Sequence, residues 1–215
     1  MTDSSTRTKP NILITGTPCV GKTATASLIS ERLNMYHVNV GEIIQRHKFH
    51  LEYDDNLQTH VLDEDQLLDH LETLFDSSSA ADDDNDNEDD SDSDNDDGQK
   101  TKFGKKGNLV ADYHACELFP ERWFDLVIVL RADTHVLYDR LMKRGYSENK
   151  RSQNMQCEIM QVVLDEAKDS YVQEIVVELK SNSIQDMEQN VDRVVSWYQQ
   201  WIQDHNNNNG NSASR

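Results

Sequence analysis

No stretch of 18 consecutive apolar residues occurs among the 215 residues of this chain, so the sequence offers no membrane-spanning helix. The first ten residues, MTDSSTRTKP, lack the apolar centre of a secretory signal. Cysteine is scarce. Cys19, Cys116 and Cys157 are odd in number and far apart, which gives neither a disulfide framework nor a metal-ligand spacing. A reducing compartment, cytosol or nucleus, is the expected setting. Basic residues are missing from 76–98, DSSSAADDDNDNEDDSDSDNDDG, which hold 12 acidic side chains of a net charge of −19 and leave −7 for the rest. Self-repulsion and the shortage of apolar groups leave nothing there to offset chain entropy, so this insert is expected to be disordered. A polyanion is also repelled by nucleic acid, and direct RNA binding is not expected.

What is present is an alternation of strands and helices. ILIT reads as a buried strand, and KTATASLISERLN as the helix after it, with Ala24, Leu28, Ile29 and Leu33 as its apolar face. YHVNV (36–40) is a second strand, VGEIIQRH begins a helix, and 62–75 is another, striped by Leu67, Leu68, Leu71, Leu74 and Phe75. After the acidic insert comes a basic patch of Lys100, Lys102, Lys105 and Lys106. NLVADYH (108–114) and FDLVIVL (124–130) are the third and fourth strands, the latter as apolar as a central parallel strand. THVLYDRLMKR is a helix closed by Gly145, SENKRSQN a polar mobile stretch, and NMQCEIMQVVLDEAKDSYV one long helix. A fifth strand, IVVEL (175–179), precedes a final amphipathic helix. Within it Trp197 and Trp201 read as packing residues rather than a base-stacking platform. The pattern predicts an α/β fold with a doubly wound five-stranded parallel sheet. The expected limits are a disordered 1–10, a domain over 11–205 and a disordered Asn-rich tail at 206–215.

The chemistry concentrates at Gly16-Thr17-Pro18-Cys19-Val20-Gly21-Lys22-Thr23, which matches G-x-x-x-x-G-K-[ST] with a strand before it and a helix after it. Successive backbone N–H groups in such a loop ring a phosphate, and the helix N-terminus adds partial positive charge. The motif makes Gly16, Cys19, Val20, Gly21, Lys22, Thr23 and Ala24 the expected ATP contacts, with Lys22 bridging the β- and γ-phosphates and the Thr23 hydroxyl ligating Mg²⁺. Asp112 ends an apolar strand, where an open α/β sheet places its ligands. It holds Mg²⁺, through water, or else caps a loop. His114, two residues on, orients water, touches phosphate or is structural. Arg140 and Arg144 share a helix face. They clamp a transferring phosphoryl group, or form a solvated face paired with Asp139. Cys19 is either a small loop residue or a thiol activated by the same positive field.

Several separated motifs then act together: PNILITGTPCVGKT, VLDEDQLLDHLE, DYHACELFPERWFDLVIVLR, LYDRLMKRGYSENK and the N-x-x-C-E-I run from Asn154 to Ile159. In this order they resemble the adenylate kinase isoenzyme 6 family, also called the coilin-interacting nuclear ATPase family. The resemblance implies an adenylate-kinase type of P-loop fold, with an AMP-side segment near 39–62 and a short lid near 143–153. It implies ATP:AMP phosphotransfer with additional ATPase activity and Mg²⁺, and Gly41 and Arg46 on the AMP side. It makes Asp112 and His114 resemble a Walker B element with its histidine; together with the residues read above this gives Lys22, Asp112, His114, Arg140 and Arg144 as the expected catalytic set, with Arg144 also among the expected ATP contacts. It also implies a nuclear and cytoplasmic address. The implied role is in small-subunit assembly and 18S rRNA maturation, with a basic small-subunit ribosomal protein and pre-ribosomal particles as partners.

Three departures accompany the resemblance. Cys19 stands where the family's loop has glycine. Adenylate kinases carry G-D-x-x-R for the AMP phosphate, whereas Arg46 falls one position late after Gly41 and Glu42, a rotation of about 100° on a helix. The segment 76–106 occupies what is a short link in the family.

Overall fold

Short apolar runs form the centre of the molecule. The computed structural model describes residues 7–54, 59–75 and 107–212. Ile12–Thr15 is β1, followed by α1 (Lys22–Leu33), β2 (Tyr36–Asn39) and α2 (Val40–His47). Then come β3 (His50–Asp54), β4 (Thr59–Leu62), α3 (Glu64–Phe75), β5 (Leu109–Asp112) and β6 (Leu126–Arg131). The chain ends with α4 (Thr134–Lys143), α5 (Glu148–Ile159), α6 (Val162–Ser170), β7 (Val176–Lys180) and α7 (Ile184–Ser212). Among the described residues five strands form one sheet in the order β2-β5-β1-β6-β7, every pairing parallel.

Because side chains alternate along a strand, the two faces of the sheet feed two cores. Ile12, Ile14, Val110, Ile128 and Leu130 pack with Ala26 and Ile29 of α1, Leu137 and Leu141 of α4, and Val191 and Val194 of α7. Leu13, Val38, Ala111, Val127 and Val129 face the other way. They meet Leu67, Leu71 and Leu74 of α3, Val163, Leu164 and Ala167 of α6, and the rings of Phe75, Phe119, Trp123 and Phe124. Phe75 and Trp123 stack with centroids 4.8 Å apart. Helices on both faces of a parallel sheet confirm the doubly wound expectation. The wrap brings the carboxyl ends of β1, β5, β6 and β7 to one edge, where such sheets bind ligands.

Several local expectations change. Residues 7–10, expected to be loose, are fastened to the domain: the buried Arg7 donates to the Arg122 carbonyl at 2.9 Å and pairs with Asp125 at 3.2 Å. Residues 206–212, expected as a disordered tail, continue α7, because each residue added to an existing helix gains a hydrogen bond without a new nucleation cost. The expected AMP-side segment is α2 plus the antiparallel hairpin β3–β4, which was not foreseen. The strand at 108–114 stops at Asp112, before His114. The polar stretch SENKRSQN belongs largely to α5, capped by the Ser147 hydroxyl. The single long helix is two, broken where Gln161 takes φ 60°. In α1 the buried residues are Thr25, Ala26 and Ile29, while Ala24 is exposed. Trp197 packs against the α1–α7 core and Trp201 stacks on His205. The acidic insert 76–98, the lysine patch at 100–106 and the expected disordered ends at 1–6 and 213–215 lie outside the described residues.

Candidate active site

The loop between β1 and α1 turns because of its glycines. Gly16 has φ 140°, and a Cβ there would stand 2.4 Å from the Leu130 carbonyl oxygen. Gly21, at φ 104°, caps α1. Cys19 also takes a left-handed φ, 74°, a region that costs a side chain about 1–2 kcal/mol. That fits a position where the family pattern has glycine. Val20 is fully buried and anchors the loop to the core. Its carbonyl accepts from the Ser181 hydroxyl at 2.6 Å.

Lys22 opens α1 and curls back into the loop, donating to the carbonyls of Gly16 at 2.7 Å and Thr17 at 3.1 Å. Burial lowers its pKa to about 8; Asp112 and Cys19 oppose the shift and Arg144 adds to it. An ammonium out of water favours an anion brought to it. One residue on, the Thr23 hydroxyl donates to Asp112 Oδ2 at 2.6 Å. Asp112 is 4% exposed, and its other oxygen meets His37 Nε2 at 2.7 Å. A hydroxyl and a carboxylate at the end of a parallel strand are hard oxygen donors, and this set fits Mg²⁺. His114 lies at the rim beside Tyr113, with ring centroids 4.4 Å apart. Desolvation by the surrounding protein, then the charge of Lys22, hold its pKa below the usual value despite an opposing pull from Glu117.

Arg140 is engaged differently from a phosphoryl clamp. Its guanidinium donates to the carbonyls of Ser181 (2.7 Å), Asn182 (3.0 Å) and Val20 (3.3 Å), tying the phosphate loop to the turn after β7. Arg144 is exposed at the end of α4 and close enough to influence Lys22. Gly41 and Arg46 lie in the first and last turns of α2, Arg46 exposed.

Four contributors were not singled out from the sequence. Glu158, 3% exposed, accepts from the Thr17 hydroxyl at 2.5 Å, from Arg131 Nε at 2.6 Å and from the Ala132 amide at 3.0 Å. Its place within N-x-x-C-E-I was the only available signal. Arg131, Ser181 and His37 carried none, because each reads as an ordinary strand or loop residue and gains its partner only through the fold.

A family model described as an AAA domain matches residues 12–161. An adenylate kinase isoenzyme 6 homologue of Dictyostelium discoideum is 42% identical over 200 residues, covering 93% of this chain and 98% of that protein. A homologue of the same name from Caenorhabditis elegans is 39% identical over 194 residues, covering 90% and 92%. Among solved structures, shikimate kinase from Acinetobacter baumannii in complex with shikimate superposes with a TM-score of 0.55 at 12% identity, covering 89% of this chain and 93% of that one. At that identity the likeness is one of fold.

Proposed function

The chain belongs to the adenylate kinase isoenzyme 6 family, and from that premise we propose that it transfers the γ-phosphoryl group of ATP to AMP, giving two ADP, and also hydrolyses ATP. The observation that carries the reading is the Thr23–Asp112 contact of 2.6 Å at the mouth of a phosphate loop whose lysine is already turned inward. A nucleotide kinase of this fold needs those parts together.

In this reading the loop amides ring the β-phosphate and the α1 N-terminus adds its partial charge. Lys22 exchanges the Gly16 and Thr17 carbonyls for phosphate oxygens, and the anion offsets the effect of burial by favouring the ammonium form further. Thr23 and Asp112, the latter through water, would hold Mg²⁺, which when bound would supply positive charge against the charge that develops on the transferred phosphoryl group. Neutral His114 offers a ring nitrogen to a water or phosphate at the rim. Arg144 supplies positive charge from the lid side, and Arg140 keeps the loop in place from beneath. Gly41 and Arg46 serve the AMP side. Positioning and electrostatics, rather than covalent chemistry, lower the barrier.

The cellular proposal is small ribosomal subunit assembly and 18S rRNA maturation, in nucleus and cytoplasm. The partner is a basic small-subunit ribosomal protein within pre-ribosomal particles. It is supported by the family resemblance and by the net charge of −19, which suits a basic protein better than RNA. A second reading, an ATPase switch that releases such a partner with little AMP kinase activity, is favoured by the one-position displacement of Arg46. Turnover measured with ATP alone and with AMP or CMP added separates them. Strong AMP stimulation with ADP as the sole product supports the kinase. Phosphate release indifferent to AMP supports the switch. No turnover in either condition refutes both.

A further inference from the structure

The parallel pairing of β2 with β5 sets His37 opposite Val110 and Asn39 opposite Asp112. Val110 belongs to the core on the α1 side of the sheet, and Asp112, two residues on, shares that face. The imidazole of His37 reaches along the strand by one pleat and brings Nε2 to 2.7 Å from Asp112 Oδ1. On the other side of the ring, Nδ1 lies 3.4 Å from the hydroxyl of Ser27 on α1. The carboxylate of Asp112 is thus held at both oxygens, by Thr23 from α1 and by His37 from β2. A carboxylate accepts only, so Nε2 carries a proton and donates it to Asp112.

We propose that His37 is a positioning residue for the metal site: it fixes the rotation of the Asp112 carboxylate so that the remaining lone pairs face the water shell of Mg²⁺. The inference rests on the assignment of Asp112 to Mg²⁺ made above and adds what orients it. Torsion about the terminal bond of an aspartate is broad. With Thr23 as its only anchor the group would turn, and the entropy of fixing it would fall on metal binding. Partners one step out from a direct metal ligand change metal affinity by about 10- to 100-fold when removed; Asp112 acts through water, which sets His37 a step further out and places its effect at the low end of that range. The order Ser27–His37–Asp112 copies that of a hydrolase triad. Ser27, however, lies past the first turn of α1, where the neighbouring amides are committed to helix hydrogen bonds and none is left beside its hydroxyl for an oxyanion.

The test uses the full chain loaded with the non-hydrolysable analogue β,γ-imido-ATP. Mn²⁺ is titrated and followed by electron paramagnetic resonance, alongside the Mg²⁺ concentration that half-saturates turnover. His37→Ala is expected to weaken Mn²⁺ binding and raise the half-saturating Mg²⁺ by on the order of tenfold, with analogue affinity in EDTA unchanged. Glutamine places an amide donor near the position of Nε2 and asparagine does not, so His37→Gln should recover most of the metal affinity and His37→Asn little. This pair decides the matter even if the alanine variant fails to fold. Unchanged Mn²⁺ affinity in folded His37→Ala, or a glutamine variant no better than asparagine, overturns the proposal. Asp112→Asn is the separating control. If it weakens Mn²⁺ while His37→Ala does not, only the role of His37 falls. If it too leaves Mn²⁺ binding unchanged, the metal assignment of Asp112 falls with it.

Discussion

Removing the Glu158 carboxylate is expected to loosen the joint between α5 and the phosphate loop. Glu158 stands near the C-terminal end of α5, out of water, and its two oxygens take three donors: the Thr17 hydroxyl, Arg131 Nε and the Ala132 amide. Arg131 also donates from its second nitrogen to the Glu158 carbonyl at 2.8 Å. Its remaining acidic neighbour, Glu178, is 3.6 Å away and half exposed. Glu158→Ala therefore leaves a largely buried guanidinium with weak compensation, a change that costs about 3–5 kcal/mol. For a domain of this size each kcal/mol moves the melting midpoint by about 2–4 °C, so a drop of roughly 6–20 °C is expected in nucleotide-free calorimetry. Glu158→Gln should cost less, about 1–2 kcal/mol, because the amide oxygen still accepts from Arg131 and Ala132 and the Thr17 hydroxyl can reverse to accept; what is lost is the charge assistance. Removing both charges in Glu158→Leu/Arg131→Met should recover much of the alanine loss, as buried pairs replaced together by apolar groups often do. Trypsin supplies a second readout, since Lys150 and Arg151 lie on α5 and should be cut faster in Glu158→Ala. A melting shift under about 2 °C, together with unchanged cleavage, would refute this account of the joint.

Lys22→Ala is expected to keep the melting midpoint within a few degrees while lowering ATP turnover by on the order of a hundredfold or more, the scale of one lost preorganised contact; near-normal turnover in a folded variant would remove Lys22 from the mechanism. Gly16→Ala would drive a Cβ to 2.4 Å from the Leu130 carbonyl oxygen. The loop or β6 must shift, so loss of nucleotide binding in a fluorescent-analogue titration is expected, and unchanged affinity would contradict the described loop. The double change Gln45→Arg, Arg46→Gln moves the guanidinium by about 100° around α2 and should lower the Michaelis constant for AMP. An unchanged constant would mean that Arg46 already reaches the phosphate or that another residue does.

How much of this was legible follows the physics of each signal. The sheet was readable because ILIT, LVAD and LVIVLR bury both faces, and runs so apolar in so short a span have few alternatives. The phosphate loop was readable because its motif came with a strand before it and a helix after it. The start of α5 reads as a polar stretch because the helix hides little: Glu158 is its one buried residue, so it has no apolar stripe to announce it. The break at Gln161 rests on a left-handed non-glycine residue that composition cannot flag. Arg140 shows a further limit. Its spacing from Arg144 predicts a shared helix face, whereas Arg140 lies in the last turn of α4 and Arg144 caps it, and the use of Arg140 depends on acceptors 40 and more residues away, the carbonyls of Ser181, Asn182 and Val20. His37, Glu158 and Arg131 have the same character. Their partners lie 75, 141 and 27 positions off in the chain, so each is set by the winding of the sheet rather than by any local pattern. Motif reading names the groups expected to touch nucleotide. The groups that hold their neighbours in place (His37 on Asp112, Glu158 on Thr17) become identifiable only when parallel strands and α5 place distant parts of the chain against the same loop.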